Sequence, residues 1–139
     1  MKFKRIEHIA IALKNMDELM AVLKDKFGLE LEYAEELGEH RTKLAMYPVG
    51  ETYVELLQGL SPEAGTAKFV AERGEGLYHI CFEVEDIDAA LAELKAKGTR
   101  LLNEEPMIGH GNSRIAFIDP ASTGGVLFEL AELPKGGHH

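Results

Sequence analysis

Along the chain, short stretches with apolar residues at every second position give way to stretches of helical period, and the sequence does this twice. In the first round, residues 5–13 are rich in β-branched side chains and predict a strand. Met16, Leu19, Met20 and Leu23 then recur at helical spacing. With Asn15 as N-cap, Glu18 at the capping-box position and Gly28 as the stop, a helix is predicted over 16–27. Strands are predicted over 29–34, 42–48 and 52–58, the last two joined by the turn Pro48-Val49-Gly50-Glu51. Ser61 and Pro62 open a connecting helix over about 62–73, and Arg73-Gly74-Glu75-Gly76 links to the second round. That round predicts a strand over 77–84, a helix capped by Asp86 and stopped by Gly98, and strands near 99–102, 113–118 and 126–131. The glycine-rich segment 106–112 reads as a mobile loop.

The two rounds are copies. IEHIAIALKNMDELMAVLKDKFGLEL, from Ile6, aligns with LYHICFEVEDIDAALAELKAKGTRL, from Leu77, so that His8 and His79 stand 71 residues apart. Lys43-Leu44-Ala45-Met46 matches Arg114-Ile115-Ala116-Phe117 at the same spacing. Val54-Glu55-Leu56 matches Phe128-Glu129-Leu130 at a spacing of 74, the extra residues falling in the turn 119–125, where insertion is tolerated. Two copies argue against a solenoid. The expected fold is α+β, a single domain over 1–135 made of two βαβββ modules, about 4–60 and 77–132, related by pseudo-twofold symmetry.

Composition narrows the function. A chain of 139 residues with 45% hydrophobic and 28% charged side chains is expected to be one soluble globular domain. No apolar stretch is longer than the five residues of Ile9 to Leu13, too short for a membrane span, and no signal-peptide pattern follows the basic start. One cysteine, Cys81, excludes an internal disulfide and a cysteine-rich metal cluster, and the expected location is cytoplasmic. The formal net charge of −9 disfavours nucleic acid as a partner, and an anionic substrate would need a local cation, which a bound metal could supply. Residues 136–139, ending in His138 and His139, read as a tag remnant, which leaves His8, His40, His79 and His110.

Strand alternation singles out four of the remaining polar side chains. Ile9, Ile11 and Leu13 share one face of their strand and His8 takes the other; Ile80, Phe82 and Val84 are likewise opposed to His79. Glu55 lies opposite Val54 and Leu56, and Glu129 opposite Phe128 and Leu130. Taken singly, such a histidine is most often a core residue and such a glutamate a solvated strand position. The same His/Glu pair recurring at matching places in both copies points instead to a divalent metal held by two imidazoles and two carboxylates. This donor set suits Co²⁺, Mn²⁺, Ni²⁺ or Zn²⁺.

The doubled plan resembles the vicinal oxygen chelate (glyoxalase/bleomycin-resistance/dioxygenase) superfamily over about Lys4 to Glu132, and within it the methylmalonyl-CoA epimerase family. The segments that carry the likeness are IEHIAIA, PVGETYVELLQ, GEGLYHICFEVEDIDAAL, NEEPMIGHG and IAFIDPASTGGVLFELAE. The resemblance implies a cup-shaped mixed sheet with helices outside, and a metal on His8, Glu55, His79 and Glu129 that chelates two substrate oxygens. Glu55 stands where some relatives carry Gln. The resemblance further implies an isomerase that interconverts (2R)- and (2S)-methylmalonyl-CoA through an enolate in propionate metabolism. Glu39 and Glu129 would act as acid and base on opposite faces of the reacting carbon. It implies an acyl-CoA substrate and a homodimer as well. Glu39 is placed by counting back from Glu55, in an acidic stretch that also holds Glu35 and Glu36.

The repeat spacing maps Glu39 onto His110, a residue for the surroundings of the site or for substrate contact, whereas His40 is expected to face away from Glu39 and takes no role. Lys43, Arg73, Arg100 and Arg114 are the cations available to CoA phosphates. Two rivals stay open. Glyoxalase I shares the ligand set, although the turn Asp119-Pro120-Ala121-Ser122-Thr123-Gly124-Gly125 is the epimerase version. A metal-free binding protein of the same fold would usually have lost the four ligands.

Overall fold

The computed structural model describes residues 1–135; the proposed tag remnant lies outside them. The chain is α+β, with eight strands and three α-helices among the described residues. It divides into two compact units: His8–Tyr78, and Met1–Glu7 together with the residues from His79 onward. No helix of the described residues is long and apolar enough to cross a membrane.

The unit His8–Tyr78 holds most of β1 (Phe3–Leu13), then α1 (Asp17–Asp25), β2 (Tyr33–Leu37), β3 (Thr42–Val49), β4 (Thr52–Gly59) and α2 (Gly65–Arg73). Its strands run in the order β2-β3-β4-β1, with β1 parallel to β4 and the other pairs antiparallel. Alternation then sorts the side chains. One face packs Ile11, Leu13, Ala45, Tyr47, Val54 and Leu56 against Met16, Leu19, Met20 and Leu23 of the α1 region. The opposite face gathers Ala10, Leu44, Met46, Tyr53 and Leu57, with Tyr33, Leu37 and Tyr78 packed on it. Each large apolar side chain fully buried in this way contributes about 1.5–3 kcal/mol.

Three expectations for this unit shift. Met16, not Asn15, occupies the N-cap position of α1, and Asn15 Oδ1 accepts from the Asp17 amide at 2.9 Å, in a turn that leads into the helix. The second strand is Tyr33–Leu37 rather than 29–34. Its register, Tyr33 opposite Met46 and Leu37 opposite Thr42, turns Tyr33 and Leu37 towards the Leu44/Met46 cluster. The charges of Glu35 and Glu36 are tolerated because β2 is an end strand of this unit's order. The connecting helix begins at Gly65, since the Ala64 amide donates to the Ser61 carbonyl and closes a separate turn first.

The second unit takes Phe3–Glu7 of β1, β5 (Gly76–Val84) from His79 on, α3 (Ile87–Ala96), β6 (Met107–Ile108), β7 (Arg114–Ile118) and β8 (Phe128–Glu132). Its order is β5-β8-β7-β6, with β5 parallel to β8. One face packs Phe82, Val84, Ala116, Ile118, Phe128 and Leu130 on Ile87, Ala90, Leu91 and Leu94 of α3. The other gathers Cys81, Ile115, Ala131, Met107 and Phe117. Asp86 caps α3 as expected, accepting from the Ala89 amide at 3.1 Å. The predicted strand 99–102 shrinks to a single bridge, Leu101 with Ile118, while part of the segment expected to be a loop pairs with β7 as Met107–Ile108. The cause is Gly109: a Cβ there would meet Ile115 side-chain atoms at 2.8 Å, so only glycine lets this segment fold down onto β7.

Candidate active site

In both units a parallel strand pair carries a histidine and a glutamate in the same register. Ala10 stands opposite Glu55 across β1 and β4, and Cys81 opposite Glu129 across β5 and β8. On the other side of each glutamate strand, Met46 faces Glu55 and Phe117 faces Glu129. Each histidine, two residues ahead of that register position, reaches its glutamate. His8 Nε2 lies 3.2 Å from Glu55 Oε1, and His79 Nε2 lies 2.9 Å from Glu129 Oε1. The sequence repeat is therefore a repeat of ladder geometry, and of the side chains placed on it.

All four side chains are buried, none more than 6% exposed. They are set among apolar neighbours: the Ala10/Leu44/Met46 cluster in one unit and the Cys81/Ile115/Ala131 cluster in the other. The Phe117 ring meets the His79 ring edge-on, at 5.4 Å between centroids and 78° between planes. A carboxylate so enclosed is expensive unless a cation answers it. A neutral imidazole and a carboxylate, each presenting one donor atom at about 3 Å from the other, are the elements of a metal site, and His8, Glu55 and His79 each offer a buried ligand atom. The donor set thus fits a divalent ion, and the histidines and glutamates are candidate metal ligands.

Glu39 sits in a different environment. It lies in a one-turn 3₁₀ segment, Gly38–His40, between β2 and β3, and is exposed. The turn closes with the Arg41 amide donating to the Gly38 carbonyl, Arg41 itself at φ 51°. The expectation that His40 faces away from Glu39 by strand alternation does not apply, because the two belong to this turn and not to a strand. His40 is half-buried, and its carbonyl accepts from the Thr42 hydroxyl at 2.9 Å. The candidate acid/base is therefore solvent-facing, and it takes no part in the buried His8–Glu55 pair.

His110, its counterpart in the repeat, is 2% exposed. Its Nε2 is hydrogen-bonded at 2.8 Å to Oε1 of Glu7, a carboxylate with no solvent exposure at all. Sequence reasoning misses Glu7. The one signal is the repeat itself, which sets Tyr78 at the corresponding place, so that a carboxylate there is out of pattern. Arg114 is not a free cation for a phosphate: its guanidinium makes two hydrogen bonds to Asp88, at 2.9 and 3.1 Å. Those bonds hold the Asp88 carboxyl below the usual carboxylate range. Arg73 lies over the Phe69 ring.

The model of the Glyoxalase/Bleomycin resistance protein/Dioxygenase superfamily matches residues 7–117. The human mitochondrial methylmalonyl-CoA epimerase is 36% identical over 129 residues, covering 92% of this chain and 73% of the relative. An ethylmalonyl-CoA/methylmalonyl-CoA epimerase of Cereibacter sphaeroides is 32% identical, covering 93% of this chain and 98% of that one. Among solved structures, a variant of the Streptomyces coelicolor methylmalonyl-CoA epimerase in complex with 2-nitronate-propionyl-CoA superposes with a TM-score of 0.91. It is 33% identical and the match covers 95% of this chain and 96% of that one. The chain belongs to the glyoxalase/bleomycin resistance protein/dioxygenase superfamily and, within it, to the methylmalonyl-CoA epimerase family.

Proposed function

We propose that this chain is an isomerase that epimerises methylmalonyl-CoA at the carbon between its thioester and its carboxylate. The observation that carries the reading is the buried His–Glu pair, repeated in register in both units of a chain that belongs to the epimerase family. His8, Glu55, His79 and Glu129 together would hold one divalent ion, Co²⁺, Mn²⁺, Ni²⁺ or Zn²⁺. Bound there, the ion would supply Lewis-acid polarisation of the two substrate oxygens.

The chain's own residues then move one proton. The C–H bond between the two carbonyl carbons breaks, its electron pair passes into an enolate, and its proton goes to a carboxylate. A second carboxylate returns a proton to the opposite face of the planar carbon. Glu39 and Glu129 are assigned these roles, each taking the proton in one direction and giving it in the other. The exposure of Glu39 suits proton transfer, since a carboxylate outside the buried pair can reach a substrate and exchange its proton with water. The family resemblance also supports a cytoplasmic homodimer, which sedimentation would test.

The decisive experiment incubates the protein with methylmalonyl-CoA in D₂O, and in parallel with methylglyoxal and glutathione. Deuterium entering the central carbon, with no lactoylglutathione formed, is expected. No exchange with any of the four metals supplied would overturn the epimerase reading, and turnover of the hemithioacetal would favour glyoxalase. Metal analysis after dialysis should give about one ion per chain; none would leave a metal-free binding protein.

A further inference from the structure

Glu7 and His110 are buried, titratable and unused by the proposed chemistry. Their hydrogen bond ties the middle of β1 to the tip of the β6–β7 hairpin across a sequence separation of 103. A cation stands near as well: Arg5 Nη2 lies 3.9 Å from Glu7 Oε2, while its Nε donates to Glu83 at 2.6 Å. A buried polar pair so placed adds little net stability compared with a well-packed apolar pair of the same volume. Its effect is directional, and its surroundings show on what.

The His110 turn is held tightly. The Ser113 amide donates to the His110 carbonyl at 3.0 Å, around Gly111 and Asn112, both left-handed at φ 57° and 60°. Gly109 donates to the Ser113 carbonyl and presses on Ile115 with no room for a Cβ. Ile115 shares its cluster with Cys81, Ala131 and Phe117, and Phe117 is the ring set edge-on against His79. At its other end the hydrogen bond holds Glu7, the residue immediately before His8. One buried bond thus fixes the backbone next to one candidate ligand, and supports the packing that orients another.

We propose that Glu7 and His110 are a positioning pair for the metal site, setting the directions of His8 and His79 and through them the affinity for the ion. This inference rests on the metal reading above. Partners that orient ligands are typically worth about 10–100-fold in metal affinity, and an effect at the lower end of that range, about tenfold, is expected here.

The test measures Co²⁺ affinity and the visible absorption of the Co²⁺-loaded protein for Glu7→Gln, His110→Gln and the pair. A double variant, Glu7→Met with His110→Met, restores packing without the hydrogen bond and guards against loss of folding. The double-Met variant should fold, bind Co²⁺ about tenfold more weakly and show shifted ligand-field bands. Glu7→Gln, which can still accept from His110, should lose less than His110→Gln, and the two Gln effects should not add. Unchanged affinity and spectrum in a folded double-Met variant would overturn the proposal while leaving the metal reading intact. A native chain that binds no Co²⁺ would remove both.

Discussion

The turns Gly38–His40 and His110–Asn112 occupy corresponding places in the two repeats and have become different things. Each is a short turn that leads into the middle strand of its module, the first a 3₁₀ turn and the second with Gly111 and Asn112 left-handed. Glu39 on the first is exposed and lies outside the buried pair of its unit. His110 on the second is enclosed and bonded to a buried carboxylate. The repeat also differs at one further pair of matching positions. Where the second unit has Glu7, the first has Tyr78, which packs with the Leu44/Met46 cluster and meets the Phe69 ring at 4.7 Å between centroids. The same sequence position has thus taken two environments. The buried bond to Glu7 fastens the second turn to the core, whereas Glu39 on the first stays exposed.

This contrast can be broken on purpose. Glu39→Gln should lower deuterium exchange into methylmalonyl-CoA by about 10²–10⁴-fold, the usual worth of a positioned proton-transfer group. Its unfolding midpoint should not move, because the side chain is exposed; retained exchange would show that the base lies elsewhere. His110→Glu should do the reverse to stability. It sets a second carboxylate against buried Glu7 and should cost about 3–5 kcal/mol in denaturant unfolding, as uncompensated buried charge does. A wild-type midpoint would mean that the turn is not fastened by this pair.

The matching helices α1 and α3 give a smaller version of the same comparison. Asp86 caps α3 with its side chain, whereas Met16 at the N-cap of α1 gives no side-chain cap. Asp86→Ala should cost about 1 kcal/mol, and Asn15→Ala, outside the N-cap position, distinctly less. Equal losses in thermal unfolding would show that the turn before α1 does a cap's work.

Much of this was legible in the residues because it depends on local periodicity. Ile9, Ile11 and Leu13 against His8, and Phe128 and Leu130 against Glu129, assign faces whatever the rest of the chain does, since successive strand residues point opposite ways. Identical spacing in two copies then carries the same polar pair to the same rung. The strand over 33–37 was not legible. Its acidic residues resemble a solvated loop until pairing with β3 shows which of them ride on an end strand. Nor was the pairing of Met107–Ile108, which depends on Gly109 meeting Ile115.

By itself, then, the sequence determined the α+β plan, the repeat, and which histidines and glutamates turn away from the helices. Tertiary structure alone decided that Glu39 is exposed while His110 is buried, and that Glu7 is its partner. The physical reason is range. Alternation and capping act within a few residues, whereas the burial of a charge is settled by whatever the folded chain brings against it, here a histidine 103 positions away.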